Sequence, residues 1–309
     1  MSAPVDQIPH PGATRTRTRP APPRPRTAPP RPRRGPAPPR QRPCTASVRA
    51  PARHTRSVPW VETSSPNFAA RHEKADDDDA AAVLELLEGA REQLAEVFPR
   101  KPEDEIAVVL HSSLTTLYLA QPTLPLITLA TAPAGRRYLA GWCSPGEIHV
   151  LAPRLLELRA SAVPGSREMA MLGPATLYTQ LVLATNNRNL PPPLRPTKLL
   201  RYARWAWLIA GGAQYFSGQT AFARPAIARR LREGREPSFP PGVRDAALLG
   251  GSVFDLLARE HGSHAAIALA YTPLRGDPRE AVVDAFDGRA IMHTAGAWRA
   301  HLARLAEQR

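Results

Sequence analysis

The sequence predicts an α+β fold, a small mixed sheet in the first half of the folded part followed by a predominantly helical second half. Two observations carry this. Short apolar, β-rich runs occur only between residues 67 and 151. Beyond Pro153 the apolar residues recur almost entirely at helical spacing. A strand-containing first half followed by helices reads as α+β.

The folded part is expected to begin near Trp60, giving a 1–60 tail and a 61–309 domain. Of the formal net charge of +14, residues 1–60 carry +12: thirteen Arg, no Lys and the single acid Asp6. They also hold sixteen of the 36 prolines. Such a composition cannot bury enough apolar surface to offset chain entropy, so a disordered, polyproline-like tail is expected. Thirteen guanidiniums on a flexible chain imply non-specific, salt-sensitive polyanion binding, nucleic acid included. A leader translated from upstream of the true start has the same Arg-, Pro- and Ala-rich composition, and that reading stands beside the first.

Element by element, residues 67–72 read as a short first strand. The acidic run 76–79 precedes a helix in which Val83, Leu87, Ala90, Leu94 and Val97 share a face. The run lacks the alternating ligands and the later Glu of a calcium loop, so its carboxylates are read as complementing the positive end of that helix. Pro99 and Pro102 end the helix, and residues 106–110 form a continuous apolar run of the kind buried in a sheet. Ser112 is expected to cap a short helix that ends before Pro122. Residues 138–142 and 147–151 flank Ser-Pro-Gly and read as a hairpin. Helices are then expected over 154–160, 167–186, 197–217, 224–233, 244–260, 263–271, 278–286 and 290–307.

Several chemistries lack their signatures. Two cysteines, Cys44 and Cys143, make neither a disulfide framework nor a Cys-rich zinc site. No phosphate-binding glycine loop, dinucleotide fingerprint or nucleophile elbow occurs. His72-Glu73-Lys74-Ala75-Asp76 has Asp where a second zinc-binding His belongs, and His261-Gly262-Ser263-His264 is broken by Gly. Trp205 and Trp207 beside Arg201 and Arg204 suggest base stacking, but core packing is the expectation for both rings. Asn186 to Asn189, before Pro191, read as a helix stop and loop. The most apolar stretch, 199–216, is interrupted by Arg201 and Arg204, and the N-terminus has no apolar signal run. No membrane association and a cytoplasmic location are expected.

The order of motifs resembles the peptidase MA-like proteins, a bacterial gluzincin group. Asn67-Phe68, Val108-Val109-Leu110, Ala140-Gly141-Trp142 and Gly146 to Leu151 correspond to the family's early strands. Gly250-Gly251-Ser252-Val253-Phe254-Asp255-Leu256-Leu257, Glu260-His261-Gly262 and the stretch from Ala281-Val282 to Trp298-Arg299-Ala300-His301-Leu302 resemble its closing helices. Coverage runs from about residue 62 to 305. Between these lie Thr176-Leu177-Tyr178-Thr179-Gln180, where the family has H-E-x-x-H, and Trp207 to Tyr215, where it has W-L-x-E-G-x-A-x-Y.

The resemblance implies a zincin-like domain with Thr176 and Gln180 at the histidine positions, Leu177 at the general base and Ala210 at the third ligand. A zinc hydrolase needs three protein ligands and one open position for water. Leu and Ala offer no donor, and Thr and neutral Gln are poor zinc ligands beside imidazole or carboxylate. No catalytic residue, metal or other cofactor is therefore expected. The resemblance implies a catalytically inactive pseudo-protease acting as a binding or scaffold module. Tyr178, Gln180, Gln214, Tyr215 and His149, with Glu147–Leu151 as an edge strand, would border a vestigial cleft for a peptide or protein ligand. A non-zinc enzyme reusing the cleft and a nucleic-acid-associated protein acting through the tail remain alternatives. Read from periodicity alone, the helix around Thr176 is an apolar core helix with Pro174 in its first turn.

Overall fold

The computed structural model describes residues 60–102, 105–190 and 198–307. The expectations for the tail, all of it but Trp60, lie outside the described residues. The architecture is α+β, a five-stranded mixed sheet followed by helices.

The first two strands are β1 (Trp60–Ser64) and β2 (Phe68–Glu73), joined antiparallel. β1 was not expected, because its residues alternate only between exposed and half-buried and leave no hydrophobic period to read. Helix α1 (Asp77–Val97) follows, burying Val83, Leu84, Leu87 and Leu94, with Asp77, Asp78 and Asp79 in its first turn. Asp76 stands just before this helix. It is buried, and it and Asp79 pair with Arg154.

Strand β3 (Ile106–His111) pairs parallel with β2. The next helix, α2 (Leu114–Ala120), is capped by Ser113 and not Ser112: Ser113 Oγ accepts from the Thr116 N–H at 3.1 Å. The Ser112 hydroxyl donates instead to Glu73 at 2.6 Å. Two unexpected helices follow, α3 (Leu124–Ala130) and α4 (Pro133–Arg136), each opened by a proline in its first turn.

The hairpin is β4 (Gly141–Ser144) with β5 (Glu147–Leu151). The first strand starts at 141, three residues later than expected. At Gly141 the strands approach so closely that a Cβ would lie 2.0 Å from the His149 carbonyl oxygen, so only glycine fits. The sheet order is β1-β2-β3-β5-β4. β5 is thus an inner strand, bonded parallel to β3 and antiparallel to β4. The expectation that Glu147–Leu151 is an edge is corrected: the edge on this side is β4.

Helices α5 (Pro153–Arg159), α6 (Ser166–Met171) and α7 (Gly173–Asn186) come next. The expected single helix over 167–186 is broken at Leu172. Pro174 has no N–H for the carbonyl one turn back, and its ring would clash there, so the chain starts a new helix. Helix α8 (Leu199–Phe216) bends at Trp205. The remaining helices are α9 (Arg224–Leu231), α10 (Val243–His261), α11 (Ser263–Ala270), α12 (Pro278–Ala285) and α13 (Ile291–Glu307). Each lies within two residues of its expected span. No described helix is long and apolar enough to cross a membrane.

Helix α7 is buried nearly all round and packs on the sheet face that carries Phe68, Val108, Ile148 and Val150. Trp205, Trp207 and Trp298 are core residues. Helices α8 and α10 cross at Gly211 and Gly250, where a Cβ on Gly211 would lie 2.3 Å from the Gly250 carbonyl carbon.

Candidate functional site

Helical spacing places Gly173, Thr176, Leu177 and Gln180 on one side of α7, because positions three and four apart are neighbours on a helix. The same rule puts Tyr202, Ala210 and Gln214 on one stripe of α8. The packing of α7 against α8 and β4 brings both stripes to a single cleft, closed by Gly141, Trp142 and Cys143 of β4, by Tyr138, and by Leu124 and Ile127 of α3. The space for water-sized atoms is about 70 Å3, room for only a few waters. The four positions that the resemblance assigns to a zinc site, Thr176, Leu177, Gln180 and Ala210, all line this cleft.

These residues do not fit zinc. The Thr176 hydroxyl donates to the Leu172 carbonyl at 3.0 Å and lies 3.0 Å from Ser217 Oγ. The Gln180 carboxamide oxygen accepts from the Cys143 thiol at 3.7 Å. Leu177 and Ala210 carry no donor atom. Among the described residues, no group of three or more His, Cys, Asp or Glu side chains is placed to hold a metal ion.

Among the described residues no charged side chain lines the cleft. Its ionisable groups are the Cys143 thiol and the phenols of Tyr138 and Tyr202. Burial pushes the Cys143 thiol up. Burial, and to a smaller degree Cys143, push Tyr202 up to about 12. Both groups are therefore neutral at physiological pH, the opposite of what an activated nucleophile requires.

The other polar groups divide into spent and open. Gln214 Nε2 donates to the Ala247 carbonyl, and its oxygen accepts from the Gly251 N–H at 3.1 Å, so its amide ties α8 to α10. Gln219 Nε2 donates to the Met169 carbonyl at 2.8 Å, and the Tyr138 hydroxyl bonds Ser166 Oγ at 2.9 Å. Among the described residues no partner meets the Gln180 amide N–H groups or the Tyr202 hydroxyl. Both are hydrogen-bond donors facing a small neutral cleft.

The expected border residues therefore separate. Gln180 and Gln214 line the cleft; Tyr178, Tyr215 and His149 do not. Tyr178 points away, its ring edge-on to Phe68 at 5.3 Å. Tyr215 stacks on Phe254 at 6.0 Å and meets Phe216 edge-on. His149 lies on the opposite face of the sheet, since successive strand residues alternate. There its Nδ1 is 3.0 Å from His111 Nε2, and its Nε2 is 3.2 Å from Glu147. Burial, with His149 beside it, lowers His111 to about 4.

Sequence reasoning missed Cys143 and Tyr202. Tyr202 was within reach of it, two turns before Ala210 on the same helical stripe. Cys143 was not, because which face of the hairpin meets α7 depends on strand register. No protein-family model and no curated protein matches this chain.

Proposed function

We propose that the chain is a catalytically inactive, metallopeptidase-like protein whose cleft binds an extended peptide segment. The observation that carries this is the lining itself: Thr, Leu, Gln and Ala at the four site positions, with no charged group around them among the described residues. A site of this kind has no general base and no metal-ligand set, but it can recognise a neutral ligand. Tyr202 and Gln180 donate to a carbonyl acceptor, and Leu124 and Ile127 provide apolar walls. Strand β4, the sheet edge beside the cleft, offers main-chain groups to pair with the peptide backbone. The cleft is too small for a bulky side chain, so the peptide presents a small residue to it.

Zinc loading and peptide display test this reading together. The purified full chain, loaded with zinc and desalted, is expected to retain well under one zinc per chain. A quenched-fluorescent peptide library is expected to stay uncut. One zinc per chain with chelator-sensitive cleavage refutes the proposal. A randomised heptapeptide library displayed on phage is expected to yield binders that are lost on Gln180→Ala and Tyr202→Phe. Binders indifferent to both substitutions place the ligand elsewhere. Combined substitution of Thr176→His, Leu177→Glu, Gln180→His and Ala210→Glu is expected to create a site holding one zinc. Failure of a folded quadruple variant to bind zinc counts against the metallopeptidase-like reading.

A further inference from the structure

On the far side of Tyr138 from the cleft lies a second cavity, of about 180 Å3. It is lined by Arg137, Tyr138, Ser161 and Pro225, and by Arg229 and Arg232 on and just beyond α9. None of these three arginines makes a hydrogen bond or ion pair through its guanidinium among the described residues, and no carboxylate there lines the cavity. The neighbouring acids have other partners: Glu157 pairs with Arg167 at 2.7 Å, Asp245 with Arg230, and Glu233 accepts from the N–H of Ala134 in the cavity wall at 2.9 Å and lies 3.7 Å from Arg244.

Arg229 and Arg232 are exposed and Arg137 is half-buried, so together they make a positively charged rim whose solvent-screened repulsion a bound anion would relieve. The C-terminus of α9 contributes about half an elementary charge of the right sign, too little for three guanidiniums. A fourth cation is close by. Arg159, whose guanidinium donates to the Leu139 and Arg136 carbonyls, is held below its ordinary value by burial and by the Arg137 charge, with Tyr118 acting in the opposite sense. Guanidinium forks match the oxygens of phosphate in paired hydrogen bonds, and arginines brought together without acids suit a dianion.

We propose that Arg137, Arg229 and Arg232 form a binding site for a phosphate dianion, either free inorganic phosphate or the terminal group of a phosphomonoester. Ser161 stands at the cavity wall as a further hydrogen-bond partner. The buried Ala134 and Ala226 wall one side of the cavity.

Thermal unfolding of the full chain, titrated with inorganic phosphate or phenyl phosphate against chloride of matched ionic strength, tests the proposal. A ligand that binds only the folded state raises the melting temperature in a saturable way. Combined Arg137→Ser, Arg229→Ser and Arg232→Ser is expected to weaken the apparent affinity about tenfold or more. Binding by arginines in residues 1–59 is common to both proteins and cancels. Ser161→Glu places a carboxylate in the cavity and is expected to abolish the phosphate response while keeping or raising the melting temperature. A stronger response to phenyl phosphate identifies an esterified ligand, and an equal or weaker one identifies free phosphate. Equal titrations of the wild type and the triple variant, a retained response in Ser161→Glu, or a wild-type response no larger than that to chloride overturns the proposal.

Discussion

Replacing Gly211 by Ala tests whether the crossing of α8 and α10 sets the position of the cleft. A Cβ on Gly211 would lie 2.3, 2.5 and 2.8 Å from the carbonyl carbon, carbonyl oxygen and Cα of Gly250. All three are backbone atoms, so no rotamer change relieves the clash. The helices must separate by about 1 Å to restore ordinary contact, and a gap of that size forfeits a quarter to a half of each dispersion contact along the seam. Overpacking of this kind costs about 1–3 kcal/mol or more. The higher helix propensity of Ala returns about 1 kcal/mol. Because the clash is with backbone atoms that cannot move aside, the upper end of the overpacking range applies, and a net loss of about 2 kcal/mol is expected. Gly89, inside α1, provides the control: a Cβ there meets nothing within 4 Å. Its replacement by Ala is expected to stabilise by up to about 1 kcal/mol. Urea unfolding of the full chain, with slopes compared to exclude changes in the denatured state, measures both. Gly211→Ala unfolding within about 0.5 kcal/mol of Gly89→Ala would refute the reasoning. The shift also moves Ala210 and Gln214, which line the cleft, so Gly211→Ala is expected to weaken any ligand found there.

Three further outcomes are expected. His111 is held near 4, below its unfolded value of about 6.5, so the unfolded chain gains a proton first as pH falls. Stability is then lost between about pH 6.5 and 4, by up to about 3 kcal/mol, and His111→Gln removes that part of the slope; identical pH slopes in the two proteins would contradict this. Arg230 is fully buried, its fork on Asp245 at 3.0 Å through Nη2 and on the Arg235 carbonyl at 2.8 Å. Asp245→Ala, which strands that charge, is expected to cost about 3–5 kcal/mol in urea unfolding, and Asp245→Ala with Arg230→Met markedly less; equal losses would show the pairing to be unimportant. Cys143 is buried and its thiol is raised, so a thiol reagent is expected to modify it only on unfolding, and modification of the folded chain at the rate of a free thiol would place it at the surface.

Much of the fold could be read along the chain, where the responsible interactions are local. The helices beyond Pro153 follow from apolar spacing and from the prolines and glycines that bound them. The break at Leu172 was also local in cause, since Pro174 forbids one long helix, but the strong apolar periodicity on either side obscured it. Strand β1 escaped because a strand lying open on both faces has no reason to alternate hydrophobic and polar residues.

The cleft was legible in part. Thr176, Leu177 and Gln180 share a helical face, and that spacing already turns Tyr178 away from them. Ala210 and Gln214 are one turn apart on α8. By itself, the sequence determined which residues of each helix act together, because a helix repeats at a fixed angle. Only the tertiary structure decided which element each face meets. It placed β4 and not β5 at the sheet edge, sent His149 to the far face, spent Gln214 on α10 and drew Arg137 to Arg229 and Arg232. Those outcomes depend on register and on contacts between residues far apart in the chain, and local spacing carries no information about them.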